Sequence, residues 1–303
     1  MKPTFSVIIC THNPKLDYLK RVLQALQNQT LSKDQWELLL IDNASDTVLA
    51  EEVDLQWHHK ARHIREEQLG LTQARLRGIK ESIGEILIFV DDDNILEADF
   101  LEVNVNISQE WPMLGVWGGQ IVPEFEQAPA DWAKPYLILL AVREFDRDKW
   151  SNSTIPNESV PCGAGICVRK FVAEKYAEQT LKDEKRAELG RKGKLLTSGE
   201  DTDLALTACD LGLGTGQFRS LKLTHIISAN RLQENYLLRL VKGFFYSQTL
   251  MMALRKQPLP AKPCISQKLL QKYSRWRMKP LNRRFYDAEK AGINLALNEI
   301  ASW

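Results

Sequence analysis

Residues 85–94 read Glu-Ile-Leu-Ile-Phe-Val-Asp-Asp-Asp-Asn, an apolar run that leads directly into three consecutive carboxylates. A short run rich in Ile, Val and Phe is typical of a strand buried on both faces of a sheet. Asp91, Asp92 and Asp93 then lie where that strand leaves the sheet, the edge at which open α/β sheets bind their ligands. Mg²⁺ and Mn²⁺ prefer oxygen ligands and often bridge carboxylates to a diphosphate. The stretch therefore predicts a metal–phosphate site, with a solvated acidic turn as the simpler alternative.

The composition excludes several classes of protein. The chain has 303 residues, enough for one large α/β domain or two closely packed halves, and 40 basic against 39 acidic residues give a net charge of +1. Such a balance provides no overall field that would recruit nucleic acid. The longest apolar run, Tyr136–Val142, is far shorter than the ~20 residues of a membrane-spanning helix. The five cysteines form no CxxC pair, which favours a reducing, cytoplasmic location.

The first half of the chain predicts strands that alternate with helices. Apolar residues at spacings of three and four after Pro14 indicate a helix between the first two strands. This strand–helix–strand unit has the ~30-residue length of a right-handed parallel crossover. The predicted strands are Phe5–Cys10, Trp36–Ile41, a minor edge strand at Arg62–Arg65, and Ile86–Val90, with a helix over Leu71–Ile83.

The second half predicts further strands, interrupted by glycines, and then helices. Residues 123–158 form a long connection of the kind that often builds a binding loop, and residues 178–194 read as a charged, mobile segment. The strands are predicted at Met113–Val122, Val160–Val168 and Leu221–Ser228, with a helix that begins near Ser198. We therefore expect a nucleotide-sugar-binding half at 1–112, an acceptor-binding and catalytic half at 113–230, and a helical extension with a basic tail at 231–303.

In this order the motifs resemble the family 2 glycosyltransferases, whose sheet is the nucleotide-diphosphate-sugar fold called GT-A. The resemblance implies an α/β fold: a GT-A type, Rossmann-like, mixed and mostly parallel sheet flanked by helices, with a helical C-terminal extension. The matching segments span residues 5 to about 230 and are Ser6–Asn13, Leu38–Asp46, Gly70–Arg75, Phe89–Asn94 and Gly199–Asp201.

The resemblance implies a nucleotide site at the strand ends of the first half. Asp42 would accept hydrogen bonds from the base, and Thr11 and Asn13 would line the same pocket. Arg75 would place its fixed fork of donors near the base or the diphosphate. Asp92 would bind a ribose hydroxyl. Taken alone, the Thr11–Pro14 segment is ordinary turn chemistry and Arg75 is a helix-surface residue.

The resemblance also implies a divalent cation, Mn²⁺ or Mg²⁺, coordinated by Asp93. Such an ion would bridge the diphosphate oxygens and stabilise the charge that develops as the bond to the sugar breaks. His225, near the end of a late strand, has two readings that the sequence leaves open. It is either a second ligand of the ion or a hydrogen-bonded histidine of the core.

Asp201 is the candidate general base, because the acceptor hydroxyl must give its proton to a nearby carboxylate. Glu200 then positions the acceptor or the helix, although the two roles could be reversed. Taken alone, two acids at a helix start form a simple N-terminal charge pair. The expected enzyme is an inverting, metal-dependent glycosyltransferase that moves a hexosyl or related group from a nucleotide-diphosphate sugar to an acceptor hydroxyl. We expect this activity in polysaccharide or glycoconjugate biosynthesis.

The basic C-terminal tail suggests a second kind of partner. Lys and Arg alternate there with Tyr273, Trp276, Met278 and Phe285, a pattern that suits peripheral contact with an anionic membrane at its inner surface. A solvated C-terminal helix is the alternative. The acceptor itself is expected to be a saccharide or a lipid-linked molecule.

Two other functions compete with glycosyl transfer. A non-catalytic sugar- or nucleotide-binding scaffold could share the fold, although Asp92, Asp93 and Asp201 argue against it. A nucleotidyltransferase would need a glycine-rich, basic loop around a triphosphate after the first strand. The segment Thr11–Pro14 is not such a loop.

Overall fold

The structure is a computed structural model that describes residues 4–191, 196–261 and 264–303. In these residues the strands are β1 (Phe5–Thr11), β2 (Trp36–Asn43), β3 (Ala61–Glu66), β4 (Ile86–Val90), β5 (Asn94–Leu96), β6 (Leu114–Phe125), β7 (Lys149–Ser151), β8 (Ile166–Arg169) and β9 (Gly214–Ile227). The α-helices are α1 (Leu16–Gln27), α2 (Leu71–Glu81), α3 (Phe100–Glu110), α4 (Lys170–Lys182), α5 (Glu184–Ala187), α6 (Glu200–Asp210), α7 (Glu234–Leu254), α8 (Ile265–Arg277) and α9 (Pro280–Ile300).

The described strands form one mixed sheet in the order β3-β2-β1-β4-β8-β6-β9-β5, with β7 paired to β9. The first four strands in this order are parallel to one another. Strand β8 runs antiparallel to both β4 and β6, and thereby joins the two halves of the chain into one sheet. The predicted boundary near residue 112 falls between α3 and β6. The predicted α/β fold class is confirmed.

The first half has the strands that its apolar runs predict. Both faces of this part of the sheet are covered, because Val7 and Ile9 pack with α1 on one side while Ile8 packs with the α2 side. A strand buried on both faces has no polar face to solvate, so its sequence is continuously apolar. The predicted edge strand at Arg62–Arg65 is confirmed as β3.

The second half differs from its prediction where glycines interrupt the pattern. In the predicted strand Val160–Val168, regular pairing begins only at Ile166, and the residues before it form a loop in which Gly165 has a φ of 69°. The last strand begins at Gly214 rather than at Leu221, since Gly214 already pairs with Leu114. Much of the charged segment 178–194 is helical, in α4 and α5, and its residues 192–194 lie outside the described residues.

The C-terminal helices pack on the far end of the sheet through a separate apolar cluster. Leu237 and Val241 of α7 and Phe285 of α9 meet the 3₁₀ segment Asp131–Leu140 there, and the Phe285 ring stacks on Tyr136 with 3.8 Å between ring centroids. Phe285 is only 4% exposed, so the expectation that it belongs to an interfacial surface is wrong. Among the helices of the described residues, none is both long and apolar enough to cross a bilayer.

The buried centre of β1 gives a test of this core. Ile8 is 0% exposed, and we expect Ile8→Ala to lower the free energy of unfolding by about 2–5 kcal/mol, because it removes apolar contacts and leaves a cavity. The measurement is equilibrium denaturation in urea. The control is Ile83→Ala at a side chain that is 48% exposed, where a change within about 0.5 kcal/mol is expected. Equal losses in the two variants would contradict the assigned core.

Candidate functional site

A cavity of about 830 Å³ opens where β1 and β4 end, opposite the first turn of α6. Of the residues that the sequence singled out, it brings together Thr11, Arg75, Asp92, Asp93, Glu200, Asp201 and His225. The cavity is also lined by Asp91 and by three arginines to which the sequence gave no role, Arg143, Arg191 and Arg231. The chain therefore forms one site from residues that are far apart in sequence.

Asp42 and Asn13, by contrast, are absent from the cavity lining and hold two strand-end turns together. The carboxylate of Asp42 accepts hydrogen bonds from the Ser45 and Leu49 amides and from Arg65 Nη1, the last at 2.7 Å. The Asn13 side chain bonds the backbone amide and the carboxylate of Asp46. The structure thus does not place these two side chains in the cavity, and their contact with a nucleotide stays a prediction. Asn43, the neighbour of Asp42, does line the cavity.

The three aspartates after β4 have different electrostatic environments. Burial raises the pKa of Asp92 to about 7, with a further rise from the charge of Asp93, although a hydrogen bond from Thr11 opposes the change. Burial and Asp93 also raise the pKa of Asp91. Burial raises the pKa of Asp93 as well, but His225 and Arg231 outweigh it, so its net pKa is lowered. Asp93 is therefore the member of the trio whose negative charge the protein stabilises.

Glu200 and Asp201 are adjacent in sequence but have different surroundings. Glu200 is 4% exposed and lies 3.5 Å from the guanidinium of Arg75, while burial raises its pKa to about 7 against the effect of that cation. Asp201 is half-buried, and its Oδ2 accepts a 2.8 Å hydrogen bond from the Gly163 amide. A carboxylate oxygen has two lone-pair positions, so Asp201 can still accept a proton or a hydroxyl group.

Gly163 lies where the loop before β8 crosses the site. A Cβ atom at this position would lie 2.6 Å from Arg75 Nη2 and 3.5 Å from the Cβ of Asp201. With glycine here, the loop amide reaches the Asp201 carboxylate without displacing the Arg75 guanidinium. The loop of small residues at 163–165 thus contacts the candidate base, and its Gly163 and Ala164 line the cavity.

The expected cation ligands Asp93 and His225 lie close together, with 3.3 Å between Oδ2 and Nε2. Arg231 Nη1, however, is 3.0 Å from that Oδ2 and 3.1 Å from that Nε2. A metal on Nε2 would force the ring proton onto Nδ1, which is buried and has no hydrogen-bond partner in the described part of the chain. Metal-bound histidines almost always donate that N–H to a partner. As arranged, these side chains do not fit a bound divalent cation, and metal dependence stays a prediction.

Asp42 provides a test of its structural role. Burial raises its pKa, but hydrogen bonds from Ser45, Arg65 and Leu49 outweigh this effect, so the net pKa is lowered. We expect Asp42→Asn to lower the free energy of unfolding by about 1–3 kcal/mol at pH 7, because buried donors lose a charged acceptor. Since the ionised form is stabilised in the folded protein, the loss should shrink as the pH falls below the ordinary aspartate pKa of ~3.9.

The measurement for Asp42 is urea denaturation between pH 3 and pH 7, together with the affinity for UDP. The control is Asp99→Asn, at an exposed aspartate whose side chain makes no helix-capping hydrogen bond. An Asp42→Asn protein of normal stability that has lost UDP affinity would instead place this carboxylate at the nucleotide.

Comparisons with known proteins point to one family. A family model described as Glycosyl transferase family 2 matches residues 6–176, which is more than half of the chain. Glycosyltransferase AglE of Haloferax volcanii is 33% identical over 107 residues, which cover 34% of this chain and 35% of that protein. Cholesterol galactosyltransferase of Borreliella burgdorferi is 36% identical over 105 residues, 33% of this chain and 28% of that protein. The chain thus spans about a third of the length of these curated relatives.

Solved structures support the fold. The TarS 1–349 structure from S. aureus has a TM-score of 0.52 at 15% sequence identity, over 98% of this chain and 83% of that one. Its structure in complex with UDP-GlcNAc has a TM-score of 0.55 at 14% identity, over 100% of this chain and 83% of that one. Taken together with the family model, these observations lead to one conclusion: the chain belongs to family 2 of the glycosyl transferases.

Proposed function

We propose that this chain transfers a sugar from a nucleoside-diphosphate sugar to an acceptor hydroxyl, with inversion at the anomeric carbon. The observation that carries the proposal is that Asp201 lines the same cavity as Asp92, Asp93 and Arg231. Family membership supports the reaction class. The UDP-GlcNAc complex of a protein with the same fold supports a nucleotide-sugar donor.

The donor occupies the part of the cavity next to the ends of β1 and β2. Thr11 and Asn43 line this part, beside Gly70 and Leu71 at the start of α2. Backbone and side-chain polar groups there suit a base and a ribose, and Asp92 remains the candidate for a ribose hydroxyl. The diphosphate then lies towards the arginines that line the cavity.

Asp201 acts as the general base in this proposal. Its hydrogen bond from Gly163 holds the carboxylate in one orientation, while Glu200 is held by the Arg75 cation and is almost fully buried. The acceptor hydroxyl gives its proton to Asp201 as its oxygen attacks the anomeric carbon. The nucleoside diphosphate leaves from the opposite face, so the configuration inverts. None of the reaction steps described here uses a metal ion.

The acceptor is proposed to be a saccharide or a lipid-linked molecule of polysaccharide or glycoconjugate assembly. Ile138, Leu139 and Phe244 line the same cavity and give it an apolar wall. Such a wall suits a molecule that carries an apolar portion next to its reacting hydroxyl. The proposal is thus compatible with an acceptor presented at a membrane surface.

We also propose that α8 contacts an anionic membrane. Ile265, Leu269, Tyr273 and Trp276 recur along one side of the helix, and each is more than half exposed. Every charged residue of α8 is basic, and these are Lys268, Lys272, Arg275 and Arg277. An exposed apolar stripe beside Lys and Arg is the pattern of helices that lie in a bilayer interface.

The role of Asp201 can be tested by substitution. With a nucleotide sugar identified by screening, we expect Asp201→Asn to lower kcat by about 10²–10⁴-fold, because the acceptor loses its proton acceptor. UDP affinity should change less than about threefold, and NMR of the wild-type product should show an anomeric configuration opposite to that of the donor. The control is Asp210→Asn, on the last turn of the same helix and paired with Arg255. Full turnover by Asp201→Asn, or a retained configuration, would contradict the mechanism.

The membrane contact is tested by vesicle sedimentation. Vesicles that contain phosphatidylglycerol should pellet the wild-type protein at low salt, and the double variant Leu269→Gln, Trp276→Gln should lose most of this binding. The matched control is the double variant Trp150→Gln, Ile155→Gln, which removes two side chains that are also more than half exposed, but outside α8. Equal sedimentation of the α8 variant and the control would contradict the proposed membrane contact.

A further inference from the structure

Arg231 makes the contacts that the expected metal ion would make. Its Nη1 lies 3.0 Å from Asp93 Oδ2 and 3.1 Å from His225 Nε2. The Arg231 side chain is 15% exposed, the Asp93 side chain 17% and the His225 side chain 4%. A positive charge belonging to the protein itself is therefore present beside the two candidate ligands, within the cavity wall.

The histidine ring indicates how this group is arranged. If the ring proton is on Nε2, it is donated to Asp93, but Nε2 then has no lone pair for the Arg231 Nη1 donor that lies 3.1 Å away. If the proton is on Nδ1, a buried N–H donor is left without a partner in the described residues, which is costly. In either arrangement Nε2 is engaged by Asp93 or by Arg231, so it is not open to a metal ion while Arg231 is in place. Arg231 Nη1 donates to the carboxylate of Asp93 in both arrangements.

The fold holds these three residues in fixed positions. Asp93 and His225 are brought together by pairing of β5 with β9, where the Ile226 amide donates to the Asp93 carbonyl at 2.9 Å. Arg231 lies in a short 3₁₀ turn, Ala229–Leu232, that directly follows β9. The next residue, Leu232, is 8% exposed and packs in the C-terminal apolar cluster. The guanidinium is thus presented by backbone that is anchored on both sides.

The cavity needs such a cation because its wall carries many carboxylates. A diphosphate that enters beside Asp91, Asp92 and Asp93 is repelled unless positive charge offsets them. Of two other arginines of the wall, Arg75 shares its charge with Glu200 at 3.5 Å, and Arg143 donates to the carbonyls of Ile138 and Val142. Arg231 instead stands next to the aspartate that the family resemblance places at the diphosphate.

We propose that Arg231 is the cation that binds the diphosphate of the donor, and that Asp93 and His225 position its guanidinium rather than ligate a metal. The inference rests on the proposed function, because it assigns a residue to the diphosphate of that donor. The planar guanidinium has five N–H donors, so it can keep its bond to Asp93 while others reach phosphate oxygens. Binding of the nucleotide then does not require Mn²⁺ or Mg²⁺.

The test uses UDP as the probe, with GDP in parallel, and measures affinity by calorimetry in buffer that contains EDTA. Wild-type protein should bind UDP, and addition of Mn²⁺ in place of EDTA should change Kd less than about threefold. Arg231→Gln should weaken UDP binding in EDTA by about 10- to 100-fold, because a charge-assisted contact is lost. Uridine, which lacks the phosphates, should bind both proteins equally.

Two further variants make the result specific. Arg231→Lys keeps the charge and should retain more UDP affinity than Arg231→Gln, and thermal unfolding of each variant shows that it is folded. Arg277→Gln removes an arginine from the exposed helix α8 and should leave UDP binding unchanged. Binding of UDP by the wild type only with Mn²⁺, or equal affinity of Arg231→Gln and wild type in EDTA, would overturn the inference alone. Absence of UDP and GDP binding under both conditions would overturn the proposed function itself.

Discussion

The negative charge at the end of β4 is the constraint on which the rest of the site depends. Asp93 is 17% exposed and lies beside two further aspartates, so its charge must be offset within the protein. The partners that offset it, His225 and Arg231, are 132 and 138 positions later in the chain. These contacts tie the strand ends of the first half to the strand and turn that close the second half. The cavity lies where these contacts link the two halves, which strand β8 joins into one sheet.

The same principle separates the two acids at the start of α6. Glu200 shares its buried position with Arg75, so its charge is balanced inside the protein. Asp201 is held by the Gly163 amide, which orients the carboxylate without neutralising it. The environment, rather than the residue type, therefore divides the roles of two neighbouring carboxylates. Glycine at position 163 contributes to this division, since a Cβ there would lie 2.6 Å from Arg75 Nη2 and displace the guanidinium.

Sequence reasoning predicted the parts of the molecule that local pattern determines. Continuous apolar runs located β1, β2 and β4, because a strand that is buried on both faces has an almost continuously apolar sequence. Asp201 also lines the same cavity as Asp92 and Asp93, as the resemblance led us to expect. The sequence pointed to Asp42, whereas Asn43 lines the cavity, because apolar periodicity cannot show which of two adjacent polar residues faces it. Sequence reasoning also missed Arg231, since a lone arginine after a strand has no local signature and its partners are distant in sequence.

The most direct measurement of the central claim is a crystal structure of the protein with UDP bound. The account predicts that the diphosphate lies within hydrogen-bond distance of Arg231, that the uracil lies towards Thr11 and Asn43, and that open space for a sugar separates the phosphates from Asp201. A nucleotide bound outside this cavity, or one whose diphosphate is turned away from the Asp93–Arg231 pair, would contradict the account.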